Sequence, residues 1–253
     1  MTDTRILDVL GVRIMDMAIP DALALMERWV RDPLRPTRRL YFVNTHSLNL
    51  AEDEPGVRDL LNSADAVFGD GTGVRWAARS QGIRVKDNLN GTDLLPLFFR
   101  TTAGRGYRYY LLGADADTIG RAASRAREAF PGWEQVGFHT GFVTPGSSRA
   151  VIQEINAART DMLLVGMGQP RQERWLQENQ EGLRVPLCIG VGGLFDHWGD
   201  NLRRASPWVR GLGFEWLQLL LQQPHKGRRY LVGNPKFLYR IGRQAMRRKS
   251  TNG

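Results

Sequence analysis

At 253 residues and 42% hydrophobic, the chain can bury the core of one α/β domain with a small addition, which excludes an intrinsically disordered protein. No run of 18 or more apolar residues occurs, and MTDTRILDVLGVRIMD carries three acids where a secretion signal needs a basic stretch before an apolar one, so a cytosolic protein is expected. The formal charge of +9 is unevenly placed: residues 201–253 hold 12 of the 35 Lys and Arg but only one of the 26 acids, Glu215, leaving the tail at +11 and the rest at −2. Such a tail points to a polyanionic partner, nucleic acid or an anionic membrane surface. Trp208, Phe214, Trp216, Tyr230, Phe237 and Tyr239 lie among those charges and suit either.

In chain order, a helix is expected over Asp21 to Val30, followed by short apolar runs alternating with longer amphipathic stretches. The strands are predicted at Leu40 to Val43, Ala66 to Phe68, Arg108 to Leu112, Met162 to Val165 and Pro186 to Val191. They read as continuous apolar runs, as parallel strands buried on both faces do. Between them, helices are predicted at Ser47 to Asn62, Gly73 to Ser80, Thr92 to Thr102, Ala116 to Ala129, Arg149 to Ala158 and Arg171 to Gln180. The fold class is therefore α/β: a mostly parallel sheet flanked by helices, with a small basic helical C-terminal appendage. From Pro207 the pattern changes to a helix-like WVRGLGFEWLQLLLQQ, then Pro224, then a basic segment, and residues 246–253 read as a frayed end. The sheet domain is placed at 1–204 and the appendage at 205–253. Cys188, within VPLCIGV, reads as a small buried apolar residue.

In an open parallel sheet, ligands bind beyond the carboxyl ends of the strands. Here those positions are Asn44, Gly69-Asp70-Gly71, Gly113, Gly166-Met167-Gly168-Gln169-Pro170 and Gly192-Gly193. Glycine lets backbone approach a ligand, and a following helix N-terminus offers N–H groups to phosphate, so the cluster points to a nucleotide or sugar-phosphate site. GDGTGV lacks the third glycine of the dinucleotide fingerprint, VGMGQPR has Arg171 in its place, and no GxxxxGK occurs, which disfavours an NAD or ATP enzyme. Asp70, set between two glycines at a strand end, can face a substrate and accept a hydroxyl proton, or it can cap the helix beginning near Gly73. Asn44 and Gln172 can bond a sugar or uracil edge, and each can equally be a cap or a surface amide. His46, His139, His197 and His225 show no metal spacing and read as structural or exposed. Asp115-Ala116-Asp117 has the spacing by which many glycosyltransferases hold a divalent cation, and equally the position of a helix cap.

Several long stretches, VNTHSLNLA, ADAVFGDGTGVRWAAR, NGTDLLP, YYLLGA, LLVGMGQPRQERWL, GVGGLFDHWGD and WVRGLGFEWLQLLLQQP followed by RRYLVGNPKFL, resemble the WecG/TagA/CpsF family of bacterial glycosyltransferases across most of the chain. The resemblance implies an inverting, metal-independent enzyme with a Rossmann-like fold and no cofactor. Such an enzyme moves a sugar from a UDP-sugar to a polyprenyl-pyrophosphate-linked saccharide, of the undecaprenyl kind, in envelope or exopolysaccharide synthesis. By position, the family's catalytic base falls on Asp70, its pocket asparagine on Asn44 and the glutamine of its PKQE motif on Gln172. Asp93 is the acid of the GxDL motif. Gly166, Gly168, Gln169, Gly192 and Gly193 become candidates for holding the diphosphate, joined by Arg228 and Arg229 from an appendage that closes as a lid; Lys226, Arg203 and Arg204 are alternatives. Two positions depart: Phe42-Val43-Asn44 stands where some members have Thr-Pro-Asn, and Asn88 where they have an arginine. A hydroxyl and a positive charge are thus absent from the expected pocket, and the wording is nearer to members of exopolysaccharide assembly, some of which use UDP-glucose. The expected location is the cytoplasmic face of the inner membrane, held by the basic tail, and self-association is compatible with the sequence. The competing readings are a nucleic-acid-binding module using the tail, though no helix-turn-helix, RRM or zinc pattern is present, and a metal-dependent transferase using Asp115 and Asp117.

Overall fold

The computed structural model describes residues 4–32, 34–202, 227 and 231–251. Arg228 and Arg229, with Lys226, Arg203 and Arg204, lie outside the described residues, as does the expected boundary near Arg204.

Eight strands form one sheet in the order β1-β2-β4-β3-β8-β7-β5-β6, parallel throughout except for the β1 and β2 pair. The central strands are β3 (Arg38–Val43), β4 (Ala66–Gly69), β5 (Arg108–Gly113), β7 (Met162–Gly166) and β8 (Leu187–Gly190), within a residue or two of the predicted runs. Every residue of β7 and β8 is buried, because helices cover both faces of a parallel sheet. Successive residues of β3 alternate between the two layers of core. Tyr41 and Val43 pack with helices α2 (Thr45–Asp53), α3 (Val57–Asn62), α4 (Thr72–Ser80), α7 (Pro145–Ala157) and α8 (Arg171–Glu178). Leu40 and Phe42 pack with α1 (Ile19–Val30), α5 (Gly91–Thr101), α6 (Ala116–Ala129) and α9 (Leu194–Trp198).

Three differences from the sequence reading have local causes. The single helix expected over Ser47 to Asn62 is two, because Pro55 cannot continue the hydrogen-bonded ladder of α2. An antiparallel hairpin, β1 (Arg5–Val9) and β2 (Val12–Asp16), precedes α1; its two-residue turn, Leu10-Gly11, has both φ angles positive (53° and 79°), the geometry that matches strand twist. Strand β6 (Glu134–His139) extends the opposite edge, only half buried and with a register irregularity against β5.

The last described helix, α10 (Gly233–Thr251), continues through the stretch expected to fray. Its fully buried Phe237 and Ile241 join the core layer of α2 and α4. Lys236 and Arg240 both pair with Asp53 of α2, and Arg240 also donates to Asn49 Oδ1 (2.9 Å) and to the Asn49 carbonyl (3.1 Å). The Arg240 guanidinium bonded to Asp53 holds that carboxyl below its ordinary range. Gln244 reaches the hairpin, donating to Asp8 Oδ1 at 2.7 Å. The basic C-terminus thus returns to the sheet domain and shares its core.

Candidate active site

A cleft of about 440 Å³ opens beyond the carboxyl ends of β3, β4, β5, β7 and β8. Asn44, Asp70, Gly166, Gly168, Gln169, Gly192 and Gly193 all line it, so most of the residues singled out by the strand-end rule do converge. A larger, shallow depression lies at the other end of β3 around Arg38, Asp65 and Glu181, where charged side chains line it without the glycine loops or the convergent strand ends. The smaller cleft is therefore the candidate site.

Asp70 is the first residue after β4. Its backbone N–H donates to the Val43 carbonyl (2.8 Å), tying the β4 loop to β3. It is not the cap of α4; Gly71 occupies that position, with φ +85° and no capping side chain. A left-handed residue there favours glycine, and it places the carboxylate ahead of the helix, on the cleft wall. The Gly71 N–H is held by Asn88 Oδ1 at 3.0 Å. Asn88 therefore braces the aspartate loop from an exposed position and is not part of the cleft lining.

Asn44 is a helix cap and also lies on the cleft wall. Its Oδ1 caps α2, accepting from the His46 N–H (2.9 Å) and the Ser47 N–H (3.3 Å), while Ser47 Oγ accepts the Asn44 N–H (2.8 Å) in a capping box. That leaves the Nδ2 donors for a ligand in the cleft, where Asn44 is part of the wall.

Gln172 does not lie on the wall. It is fully buried, with Nε2 donating to Glu173 Oε1 (2.8 Å) and Oε1 accepting the Gly192 N–H (3.0 Å). Both ends of the amide are spent, and so is the Gly192 N–H proposed for phosphate. Gln169, by contrast, is on the wall; its Nε2 donates to the Phe42 carbonyl at 2.8 Å. Asp93 is exposed and off the wall, taking the Asn90 Nδ2 donor (2.9 Å) in the first turn of α5, where Asn90 Oδ1 caps the Asp93 N–H (2.9 Å). Its neighbour Thr92 lines the cleft instead.

The carboxylates of the DxD-like pair are separately engaged. Asp115 caps α6, accepting the Thr118 N–H (2.9 Å) and hydroxyl (2.8 Å), bonds that hold its carboxyl below the ordinary range. Asp117 pairs with Arg121 one turn along. Among the described residues no three His, Cys, Asp or Glu side chains are grouped to hold a metal.

His46 and His197 line the cleft, where the sequence reading had them structural or exposed. Position was the available signal: His46 follows a strand-end asparagine by two residues, and His197 sits in the short α9 that follows Gly192-Gly193. No Lys or Arg lines the cleft among the described residues, although three acids, Asp70, Asp115 and Asp196, do. Close contacts surround two of the strand-end glycines: a Cβ on Gly113 would fall 2.4 Å from the carbonyl oxygen of Gly166, and one on Gly190, which lines the cleft, would fall 2.8 Å from Gln172 Nε2. Among the described residues, no helix is long and apolar enough to cross a membrane.

Two relatives share this chain's sequence over most of its length. One, from Bacillus subtilis (strain 168), is named N-acetylglucosaminyldiphosphoundecaprenol N-acetyl-beta-D-mannosaminyltransferase and is 27% identical over 192 residues, 76% of this chain and 74% of that protein. The other, of the same name, from Bacillus spizizenii (strain ATCC 23059 / NRRL B-14472 / W23), is 29% identical over 188 residues, 74% of this chain and 72% of its own. The family model described as glycosyl transferase WecG/TagA/CpsF matches residues 7–251. With its strand-end cleft, its aspartate loop and a match spanning nearly every residue, the chain belongs to the WecG/TagA/CpsF family of glycosyltransferases.

Proposed function

We propose that this protein is an inverting transferase that moves a sugar from a UDP-sugar to a saccharide carried on a polyprenyl diphosphate, without a metal. The observation that carries the reading is the position of Asp70: on the cleft wall, ahead of the α4 cap, at the carboxyl edge of the sheet. A carboxylate there can take the proton of an acceptor hydroxyl as that oxygen attacks the anomeric carbon from the face opposite UDP. Support for the acceptor comes from the two Bacillus relatives, whose names specify a diphosphoundecaprenol-linked sugar.

The UDP leaving group gains negative charge as the bond breaks. With no Lys or Arg in the described lining, that charge falls to backbone N–H groups of the loops after β7 and β8 and to the basic residues of 203–230. Leu202 lines the cleft, and Gly233, at the start of α10, accepts from Asn49 of α2 (2.8 Å). Arg228 and Arg229 remain the proposed diphosphate contacts.

The same C-terminus is proposed to hold the enzyme on an anionic bilayer, where its lipid acceptor lies. Leu238, Tyr239 and Met246 are exposed on α10 beside its basic residues, although Lys236 and Arg240 are committed to Asp53. Each remaining Lys or Arg near the surface contributes ~1 kcal/mol at low salt. The test is UDP release and product mass across a panel of UDP-sugars, with a short-chain lipid-diphosphate N-acetylglucosamine as acceptor. Acceptor-dependent release with one donor supports the reading; retention on duplex DNA with no transfer and no liposome binding sinks it.

A further inference from the structure

Behind the cleft wall one carboxyl joins three strand-end loops. Glu173, on α8, is fully buried, and its Oε1 accepts from Gln172 Nε2 (2.8 Å) and, more weakly, from Gln169 Nε2 (3.4 Å). Each amide continues to another loop: Gln169 Nε2 also donates to the Phe42 carbonyl at the end of β3, and Gln172 Oε1 accepts the Gly192 N–H after β8. Tyr41 of β3 donates to the Glu173 backbone carbonyl (3.3 Å). Glu173 Oε2 has no hydrogen-bond partner among the described residues.

A carboxyl oxygen that accepts from two amides dictates which way each must face. Were either amide flipped, its own carbonyl oxygen would meet Glu173 Oε1 lone pair to lone pair, in a buried place where the loss of a hydrogen bond is costly. With both NH2 groups turned inward, Gln172 must offer its oxygen to Gly192. Gln169, which is on the cleft wall, has only Oε1 left for a ligand.

We propose that Glu173 is a positioning residue for the transfer reaction, locking the Gln169 and Gln172 amides in one orientation so that the cleft wall presents an acceptor, Gln169 Oε1, to a hydroxyl or imide N–H of the bound sugar nucleotide. The proposal rests on reading the cleft as the sugar-transfer site. Burial in apolar surroundings pushes the Glu173 carboxyl up to about 7, in keeping with a group used as a hydrogen-bond acceptor rather than as an ion-pair partner. The titratable group packed against it is Tyr41 of β3, and among the described residues no Lys or Arg forms an ion pair with it.

Glu173→Met removes the acceptor at similar volume, and Glu173→Gln keeps an oxygen where Oε1 stands. Glu173→Met should raise KM for the sugar nucleotide about tenfold with kcat within about threefold, the size of one uncharged hydrogen bond, and Glu173→Gln should restore most of the loss. Gln169→Leu, outside the core, should reproduce the KM increase if Glu173→Met folds poorly. Wild-type KM in Glu173→Met or in Gln169→Leu overturns the proposal, as does Glu173→Gln no better than Glu173→Met. Selective 15N-glutamine NMR separates this from the function itself. The Gln169 and Gln172 side-chain amide signals should move in Glu173→Met and stay in Glu173→Gln even if the wild type transfers no sugar; unmoved signals in Glu173→Met refute the positioning role alone.

Discussion

Glu173→Gln should change how stability depends on pH, and the size of the effect follows from burial. The carboxyl sits fully buried with Oε2 unpartnered, and desolvation raises it from an ordinary 4.5 to about 7. Below about 4.5 both the folded and unfolded chains carry the proton. As pH rises from there, the unfolded chain releases it first, so the stability associated with the neutral acid is lost progressively until the folded carboxyl itself ionises near 7. A difference of about 2.5 units amounts to about 3 kcal/mol, or roughly 6–12 °C in Tm for a chain of this size. Glutamine has no proton to lose. Thermal unfolding of wild type and Glu173→Gln in matched buffers from pH 5 to 8.5 isolates the carboxyl. The wild type should lose ground to the variant as pH rises, with most of the change below about pH 8. Curves that stay parallel would refute the reasoning.

Further expectations follow from other parts of the structure. Phe237→Ala empties a fully buried position between α10 and helices α2 and α4 and should cost about 3–5 kcal/mol in denaturant unfolding, whereas a C-terminus independent of the core would leave stability unchanged. Sugar transfer should proceed at its full rate in EDTA, because Asp115 is spent on the α6 cap and Asp117 on Arg121; loss of activity restored by a divalent cation would return the metal reading. Replacing Arg228 and Arg229 together by Ala should lower kcat on a water-soluble acceptor by about 100-fold or more if they stabilise the departing diphosphate. A loss seen only on liposomes would make them anchors.

The central strands were legible because a parallel strand buried on both faces has to be written as an apolar run, as MLLVG of β7 is. The hairpin was not, since Leu10-Gly11 is a weak turn signal and β1 carries exposed residues at its outer end. Strand β6 escaped for a similar reason: EQVGFH is half exposed at a sheet edge and has no long apolar run. In the C-terminus, net charge pointed away from the core, yet Phe237 and Ile241 are spaced one helical turn apart and bury together.

At the site, Asp70, Asn44, Gln169 and the glycines were readable because position after a strand predicts where a residue lies. What Gln172, Asn88 and Asp93 do there was not, because each has its polar atoms taken by a partner that spacing does not reveal: Glu173 and Gly192, Gly71, and Asn90. Glu173 was missed for the converse reason. An acid in the first turn of a helix reads as a solvated, dipole-compatible residue, and its burial depends on how α8 packs against β3.

The most direct test of the account is single-turnover transfer by Asp70→Asn, with donor and lipid-diphosphate acceptor both saturating. The substitution keeps the shape of the β4 loop and removes only the basic carboxylate. Transfer should slow by about 10²–10⁴-fold while UDP affinity, measured by calorimetry, stays within about threefold of wild type. An Asp70→Asn enzyme that turns over at nearly the wild-type rate would contradict the assignment of Asp70 as the base.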